Sequence, residues 1–311
     1  MSLHHSLRAD AAASAQRTMV VTGASDGIGR AAARSWTEAG ATVVMVGRNE
    51  AKTAAAARRI MSETGRRTVH WEIADLSRQD AVQALGARLR EAHPRIDVLA
   101  NNAGALFLER AETIDGLEQT FALNHLAYFT LTIELLPALL AASTPEAPAR
   151  VINVSSRAHQ NARVDLDDLQ LVHGYGGWRA YCNSKLYNLW FTRALARRMD
   201  PSRLIVQAMH PGVVSTRFAT NNGWMGRLQR RLMDVVSVTP EQGADTLVWL
   251  ATAPDAARRN ARYWVRRREV TPSRLARDDE RAERLWRESN ALARVDADAT
   301  IAAALKTHAV A

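Results

Sequence analysis

Three residue types able to handle a proton at a carbonyl oxygen fall within one short reach of this chain. Ser155 and Ser156 close the apolar run "VINVSS", and Tyr181 and Lys185 follow in "AYCNSKLYN". If the stretch from Trp178 is helical, residues four apart share a face, so the phenol and the ammonium stand one above the other. A tyrosine with its ordinary pKa of ~10 exchanges protons poorly at neutral pH unless a nearby cation favours the phenolate. Lys185 would supply that cation, and a serine hydroxyl can hydrogen-bond an oxygen on which charge develops. The lysine is informative because the chain has only Lys52, Lys185 and Lys306 and otherwise uses arginine, a planar fork in place of a compact point charge. By itself the pair is two residues on a helix. Its meaning depends on the elements that position it.

Those elements alternate. "TMVVTGA", "ATVVMVGR", "RTVHWEIADLS", "RIDVLANNAG", "ARVINVSS" and "RLIVQAMHPG" read as buried strands. Helical patterns fall between them, closed by Gly40 and Gly65 in the first two cases, with Ser77 a candidate N-cap for the third. A long helical stretch is expected from about Thr113 to Ala142, ended or kinked at Pro137. "RYWV" suggests a last short strand between two late helices. Such alternation implies an α/β fold with a doubly wound, Rossmann-like parallel sheet. The expected organisation is a flexible tail over 1–17, one domain over 18–294 and a C-terminal tail over 295–311. Ligands of such sheets sit outside the carboxyl ends of the strands, where strand order reverses, and the polar motifs do follow strands.

"TGASDGIG" runs from Thr22 to Gly29 after the first strand and opens the first helix. Its glycines Gly23, Gly27 and Gly29 suit a tight turn that lets a pyrophosphate approach the backbone and the helix N-terminus, with Thr22, Ser25 and Ile28 in the same loop. In isolation it could equally be a glycine turn capping a helix. The second strand ends in "VGRN", with Gly47 where an acidic residue would bind a ribose 2′-hydroxyl and Arg48 next. A basic residue there accommodates a 2′-phosphate, favouring NADP over NAD, although a solvated arginine is the plainer alternative. Asp75, followed by Leu76, could accept a hydrogen bond from an adenine amino group or only cap the next helix. "NNAG", with Asn102, Ala103 and Gly104, offers small residues against which a cofactor could lie, or a plain turn.

Composition narrows the function classes. The chain has 311 residues, 47% apolar and 23% charged, the balance of a globular protein. No stretch offers the ~20 apolar residues of a spanning helix. The single cysteine, Cys182, allows no internal disulfide, and beside Tyr181 it reads as helix packing. The net charge of +9 is spread through arginine without a nucleic-acid motif, so nucleic acid is not an expected partner. His125, His159 and His210 lack metal-ligand spacing, so no metal is expected.

Taken together, Thr22–Gly29, "NNAG", Asn124 in "FALNHLAYF", Ser156, Tyr181-x-x-x-Lys185 and "HPGVVST" from His210 resemble the short-chain dehydrogenase/reductase family over about residues 18–290. "INVSSRAH", "DDLQ", "AYCNSKLYN" and "DDERAERLW" are similar to its retinol-dehydrogenase-like branch, as is the 25-residue spacing of Ser156 and Tyr181. The resemblance implies that Tyr181 is the general acid/base, Ser156 orients the substrate carbonyl, and Lys185 binds the nicotinamide ribose and lowers the tyrosine pKa. Asn124 would hold a water in a proton relay. Pro211, Gly212, Val214 and Thr216 would pass near the nicotinamide carboxamide. It also implies NADP(H), a lipophilic aldehyde, ketone or alcohol as substrate, and pairing into a homodimer through the helices containing Asn124 and Tyr181.

Residues 221–238, "NNGWMGRLQRRLMDVVSV", fall where that family has a mobile substrate lid, and their basic amphipathic pattern would also suit weak contact with a membrane surface. The expected protein is a cytoplasmic NADP(H)-dependent oxidoreductase, the alternative a non-catalytic NADP(H)-binding regulatory protein.

Overall fold

The computed structural model describes residues 16–144, 146–212 and 239–309. The expected lid over 221–238, and Val214 and Thr216, lie outside them. Eight strands form one sheet in the order β3-β2-β1-β4-β5-β6-β7-β8: β1 Thr18–Thr22, β2 Thr42–Gly47, β3 Val69–Ile73, β4 Val98–Asn101, β5 Ala149–Val154, β6 Leu204–His210, β7 Tyr263–Val265 and β8 Arg268–Glu269. Neighbours are parallel except β7 and β8, which form an antiparallel hairpin. Both faces are apolar, and alternation sorts the side chains. Val20, Val44 and Val46 join one core, while Met19, Val21, Val43 and Met45 join the other.

The helices that cover these faces are α1 Gly27–Glu38, α2 Glu50–Thr64, α3 Gln79–Ala92, α4 Gln119–Ala142, α5 Gly177–Arg198, α6 Pro240–Thr252, α7 Asp279–Ala293 and α8 Ala297–Ala309. Sidedness follows the crossovers: α1, α2 and α6 build one core with Trp36, Ile60 and Leu247, and α3, α4, α5, α7 and α8 the other. Strand order reverses between β1 and β4, so the loops after these strands flank the switch point.

Four expectations need correction. The long helix starts at Gln119, because the Glu118 carboxylate caps it by accepting the Thr120 and Phe121 N–H groups at 2.8 and 2.7 Å. Pro137 lies inside that helix without ending it. Ser77 does not cap α3: its N–H and hydroxyl both donate to Asp75, while Asp115, from a distant loop, accepts the Gln79 N–H at 2.9 Å. The segment expected as a C-terminal tail is α8, whose Ala297, Ile301 and Ala304 recur at helical spacing and are buried in the core.

α7 and α8 also bear on the expected homodimer. They cover the helices that were to pair, so that those faces are occupied by the chain's own C-terminal residues. Trp286 stacks on Phe191 and lies under Arg198, whose guanidinium carbon is 4.1 Å from the indole centre. Arg193, Arg197 and Arg198 of α5 pair with Asp279, Glu283 and Asp298. Against the expectation that no stretch would suffice, α4 is by length and composition apolar enough to cross a membrane, the one such helix among the described residues, and it is buried in this core.

Candidate active site

At the switch point the loops after β1 and β4 are laced together. The Thr22 hydroxyl accepts the N–H groups of Asn102 and Ala103 at 2.9 and 3.0 Å, and Asn102 Nδ2 donates to the Thr22 carbonyl at 2.8 Å. Thr22 is buried, so it shapes this cradle from within. Two of its glycines are required. Gly23 has φ +66°, and a Cβ there would stand 2.8 Å from Ala103 Cα; a Cβ on Gly29 would stand 2.6 Å from the Gly23 carbonyl oxygen. Asp26 caps α1 through the Gly27 N–H, and Ser25 and Ile28 are half-buried beside it. The result is a helix N-terminus where glycine backbone at 23 and 29 allows close approach, which fits a pyrophosphate.

The neighbouring strand ends complete the groove. Arg48 is exposed after β2 and takes part in no ion pair among the described residues. A side chain at Gly47 would overlap the Thr53 hydroxyl, so the charge available at this strand end is the Arg48 cation. Asp75 is exposed and accepts from Ser77, whereas Leu76 is buried in the core. Pro211 and Gly212 follow β6, Gly212 with φ +93°.

The proton-handling residues meet at the carboxyl end of β5. Tyr181 and Lys185 lie on α5, with Lys185 Nζ 5.6 Å from the Tyr181 ring centre. Lys185 Nζ donates to the Val154 carbonyl at 3.1 Å and also lies 5.8 Å from the Tyr128 ring. The two serines divide their work. Ser155 is buried and donates its hydroxyl to the Lys185 carbonyl at 2.7 Å, fixing the helix. Ser156 caps the 3₁₀ turn Arg157–Asn161, accepting the Ala158 N–H at 3.2 Å, which leaves its own proton to donate. It lies near the Tyr181 phenol and favours its ionised form.

Asn124 sits in a π-helical turn, Ala122–Leu126, within α4, a device that reorients one residue of a helix. Both amide protons of its side chain are used: Nδ2 donates to the Ala105 carbonyl and to Ser184 Oγ, while Oδ1 accepts the Ala105 N–H at 2.9 Å. The amide therefore ties the Ala105 backbone to α5. A Cβ on Gly104 would lie 3.1 Å from Asn124 Oδ1 and 3.4 Å from Lys185 Nζ, so the glycine lets this backbone sit close to both side chains.

Burial controls the electrostatics. It pushes the Tyr181 phenol well above its usual range, with Ser156 acting in the opposite direction. It pulls Lys185 down to about 7. The lysine is thus poised to gain or lose a proton near neutrality. Cys182 packs with Leu106, Ala158 and Tyr181, and burial raises its thiol to about 11, which fits packing rather than reactivity. Leu108 and Ala162 border the same cluster, and Trp178, about half exposed, stacks on Tyr181 at 5.7 Å.

Several contributors were not among the expected site residues: Tyr128, which donates to the Ala103 carbonyl at 2.8 Å, Ser184 and His159, all three within the quoted motifs, and Trp178.

Residues 17–224 match the family model for short chain dehydrogenases. Human retinol dehydrogenase 13 is 35% identical over 287 residues, covering 90% of this chain and 86% of its own. Mouse polyprenol dehydrogenase is 36% identical over 277 residues, covering 88% and 82%. Among solved structures, an uncharacterised protein from Mycobacterium paratuberculosis superposes with a TM-score of 0.73 at 33% identity, over 91% of this chain and 95% of that one. RhlG from Pseudomonas aeruginosa in an active-site complex with NADP gives a TM-score of 0.64 at 29% identity, over 80% and 94%. With the glycine cradle, the strand-end serine and the tyrosine–lysine pair in one groove, the chain belongs to the short-chain dehydrogenase/reductase family and within it is similar to the retinol dehydrogenases.

Proposed function

We propose that this protein is an NADP(H)-dependent oxidoreductase that interconverts a lipophilic aldehyde or ketone and its alcohol. The observation that carries the reading is the convergence of Ser156, Tyr181 and Lys185 beside an apolar wall of Leu106, Leu108, Ala158 and Trp178. When bound, the cofactor supplies or accepts hydride at the substrate carbon. The Ser156 hydroxyl donates to the carbonyl oxygen and holds it against the Tyr181 phenol. In reduction Tyr181 gives that oxygen its proton, so the C=O π bond becomes one C–H and one O–H bond, and the resulting phenolate is stabilised by the Lys185 ammonium. In oxidation the proton returns to Tyr181. The Gly23–Gly29 cradle receives the pyrophosphate, and Arg48 the 2′-phosphate. The apolar wall excludes water and favours a substrate with little polar surface beyond the reacting group.

The test is cofactor oxidation with a panel of lipophilic aldehydes and ketones, NADPH beside NADH. Turnover with NADPH should exceed that with NADH, and Arg48→Ser should raise the KM for NADPH by roughly tenfold or more, the scale of one charge-assisted hydrogen bond, while leaving NADH unchanged. Equal use of both cofactors, unaltered by Arg48→Ser, would refute the cofactor assignment.

A further inference from the structure

The residue that orients the substrate oxygen needs a fixed backbone, and the structure shows what fixes Ser156. Its carbonyl accepts two hydrogen bonds from one residue, the His159 N–H at 3.2 Å and His159 Nδ1 at 2.6 Å. The other ring nitrogen, Nε2, accepts the Ser273 N–H at 3.3 Å. These partners dictate the tautomer: a carbonyl can only accept and a backbone N–H can only donate, so the proton is on Nδ1. The ring is 1% exposed and meets the Tyr263 ring edge-on at 5.2 Å. Ser273 belongs to the strand-free segment between β8 and α7 that Trp190 of α5 also anchors, through an indole N–H to the Leu275 carbonyl at 2.8 Å.

We propose that His159 is a positioning residue for Ser156, a bridge that sets the serine hydroxyl by clamping its carbonyl to the C-terminal segment at Ser273. It does not reach the reacting atoms. Ser156 lies at the start of a short 3₁₀ turn, and the ring bond is the shorter of the two that its carbonyl accepts from His159. Removing the clamp lets the Ser156 peptide rotate, which moves the hydroxyl relative to the Tyr181 phenol. A misplacement of about 1 Å in such a constellation can lower a rate by ~100-fold. The neutral ring suits the task, because burial holds His159 below its usual range and the protonated ring would have no lone pair for Ser273.

The inference rests on the reading of Ser156 as the group that orients the substrate, and its test separates the two. In the full chain, His159→Leu removes both ring bonds. His159→Asn restores a donor at the position of Nδ1, toward Ser156, but not the acceptor for Ser273. With NADPH and a panel aldehyde that the wild type turns over, His159→Leu should lower kcat by ~10- to 100-fold with the NADPH dissociation constant unchanged, and His159→Asn should recover most of the loss. Hydrogen exchange reads the clamp without turnover: exchange at residues 156–161 should accelerate in His159→Leu and stay slow in His159→Asn, while exchange at 271–275 accelerates in both. Unchanged kcat in His159→Leu, or equal impairment in both variants with matching loss of thermal stability, would overturn the proposal. So would a ring tautomer protonated on Nε2 by nitrogen NMR of the histidines. Absence of wild-type turnover with every carbonyl tested, alongside the expected exchange pattern, would leave the clamp standing and count against the proposed reaction.

Discussion

Replacing the central lysine should make the protein inactive and more stable. Lys185 is 3% exposed, and its ammonium has one hydrogen-bond acceptor, the Val154 carbonyl at 3.1 Å, with no carboxylate paired to it among the described residues. Burial lowers its pKa from the ordinary 10.5 to about 7. Between those values the unfolded chain holds a proton that the folded chain does not, so folded stability rises with pH across that window and is flat below it. At ~1.4 kcal/mol per pKa unit, the buried lysine costs about 4 kcal/mol at pH 7 and about 1 kcal/mol at pH 10. Methionine fills a similar volume without a charge, and gives up one hydrogen bond worth about 1 kcal/mol; Asn188 Nδ2, at 3.4 Å, still reaches the Val154 carbonyl. Lys185→Met should therefore be more stable than wild type by about 2–4 kcal/mol at pH 7, a rise in Tm of roughly 3–8 °C, and close to it at pH 10. Thermal unfolding of the cofactor-free proteins at the two pH values measures this. A mutant no more stable at pH 7, or a gain that persists at pH 10, would refute the argument that burial sets the lysine's state.

Other outcomes follow from particular contacts. His125 is wholly buried, its Nε2 2.8 Å from Ser289 Oγ, and burial takes its pKa down to about 3. Because the unfolded ring charges near 6.5, this residue alone should remove about 2 kcal/mol of stability by pH 5, and His125→Phe should flatten that part of an acid denaturation curve. Gly29→Ala, whose Cβ would meet the Gly23 carbonyl at 2.6 Å, should abolish NADPH binding measured by nicotinamide fluorescence while the protein stays folded by circular dichroism. Light scattering should detect no dimer formed through α4 and α5, since α7 and α8 cover them. Trp286→Ala should cost about 3–5 kcal/mol, as buried aromatic truncations do, rather than expose a pairing surface.

Where sequence and structure agree, local chemistry decided the matter. The strands that alternate apolar side chains between two cores, the glycines that alone fit the cradle, and the four-residue step from Tyr181 to Lys185 are each visible in a few consecutive residues. Where they part, the deciding partner is far along the chain. Nothing near Ser77 signals that Asp115 will take the first free N–H of α3, and Thr22 looks like a ligand to phosphate until Asn102 and Ala103 arrive from β4 to occupy its hydroxyl. Asn124 stands out in the sequence, but not the π turn that holds it or the use of its amide to brace Ala105. The α8 helix was overlooked for a different reason: alanines at 297 and 304 with Ile301 between them carry a weak apolar signal that becomes decisive only against the surface of α4. Residue type does not separate the two serines, and the expectation of Ser156 rests on its place before "RAH"; in the structure the Ser155 hydroxyl is committed to the Lys185 carbonyl.

The central claim is that the Tyr181 phenol carries the proton of a carbonyl–alcohol interconversion. The most direct measurement is a single-turnover comparison of wild type and Tyr181→Phe, with NADPH bound to saturation and its affinity measured in parallel. Phenylalanine keeps the ring that packs with Leu106 and Trp178 and removes only the hydroxyl. The account predicts unchanged NADPH affinity with hydride transfer slowed by at least ~100-fold, the lower scale of general acid–base catalysis. Hydride transfer at the wild-type rate in Tyr181→Phe would contradict it.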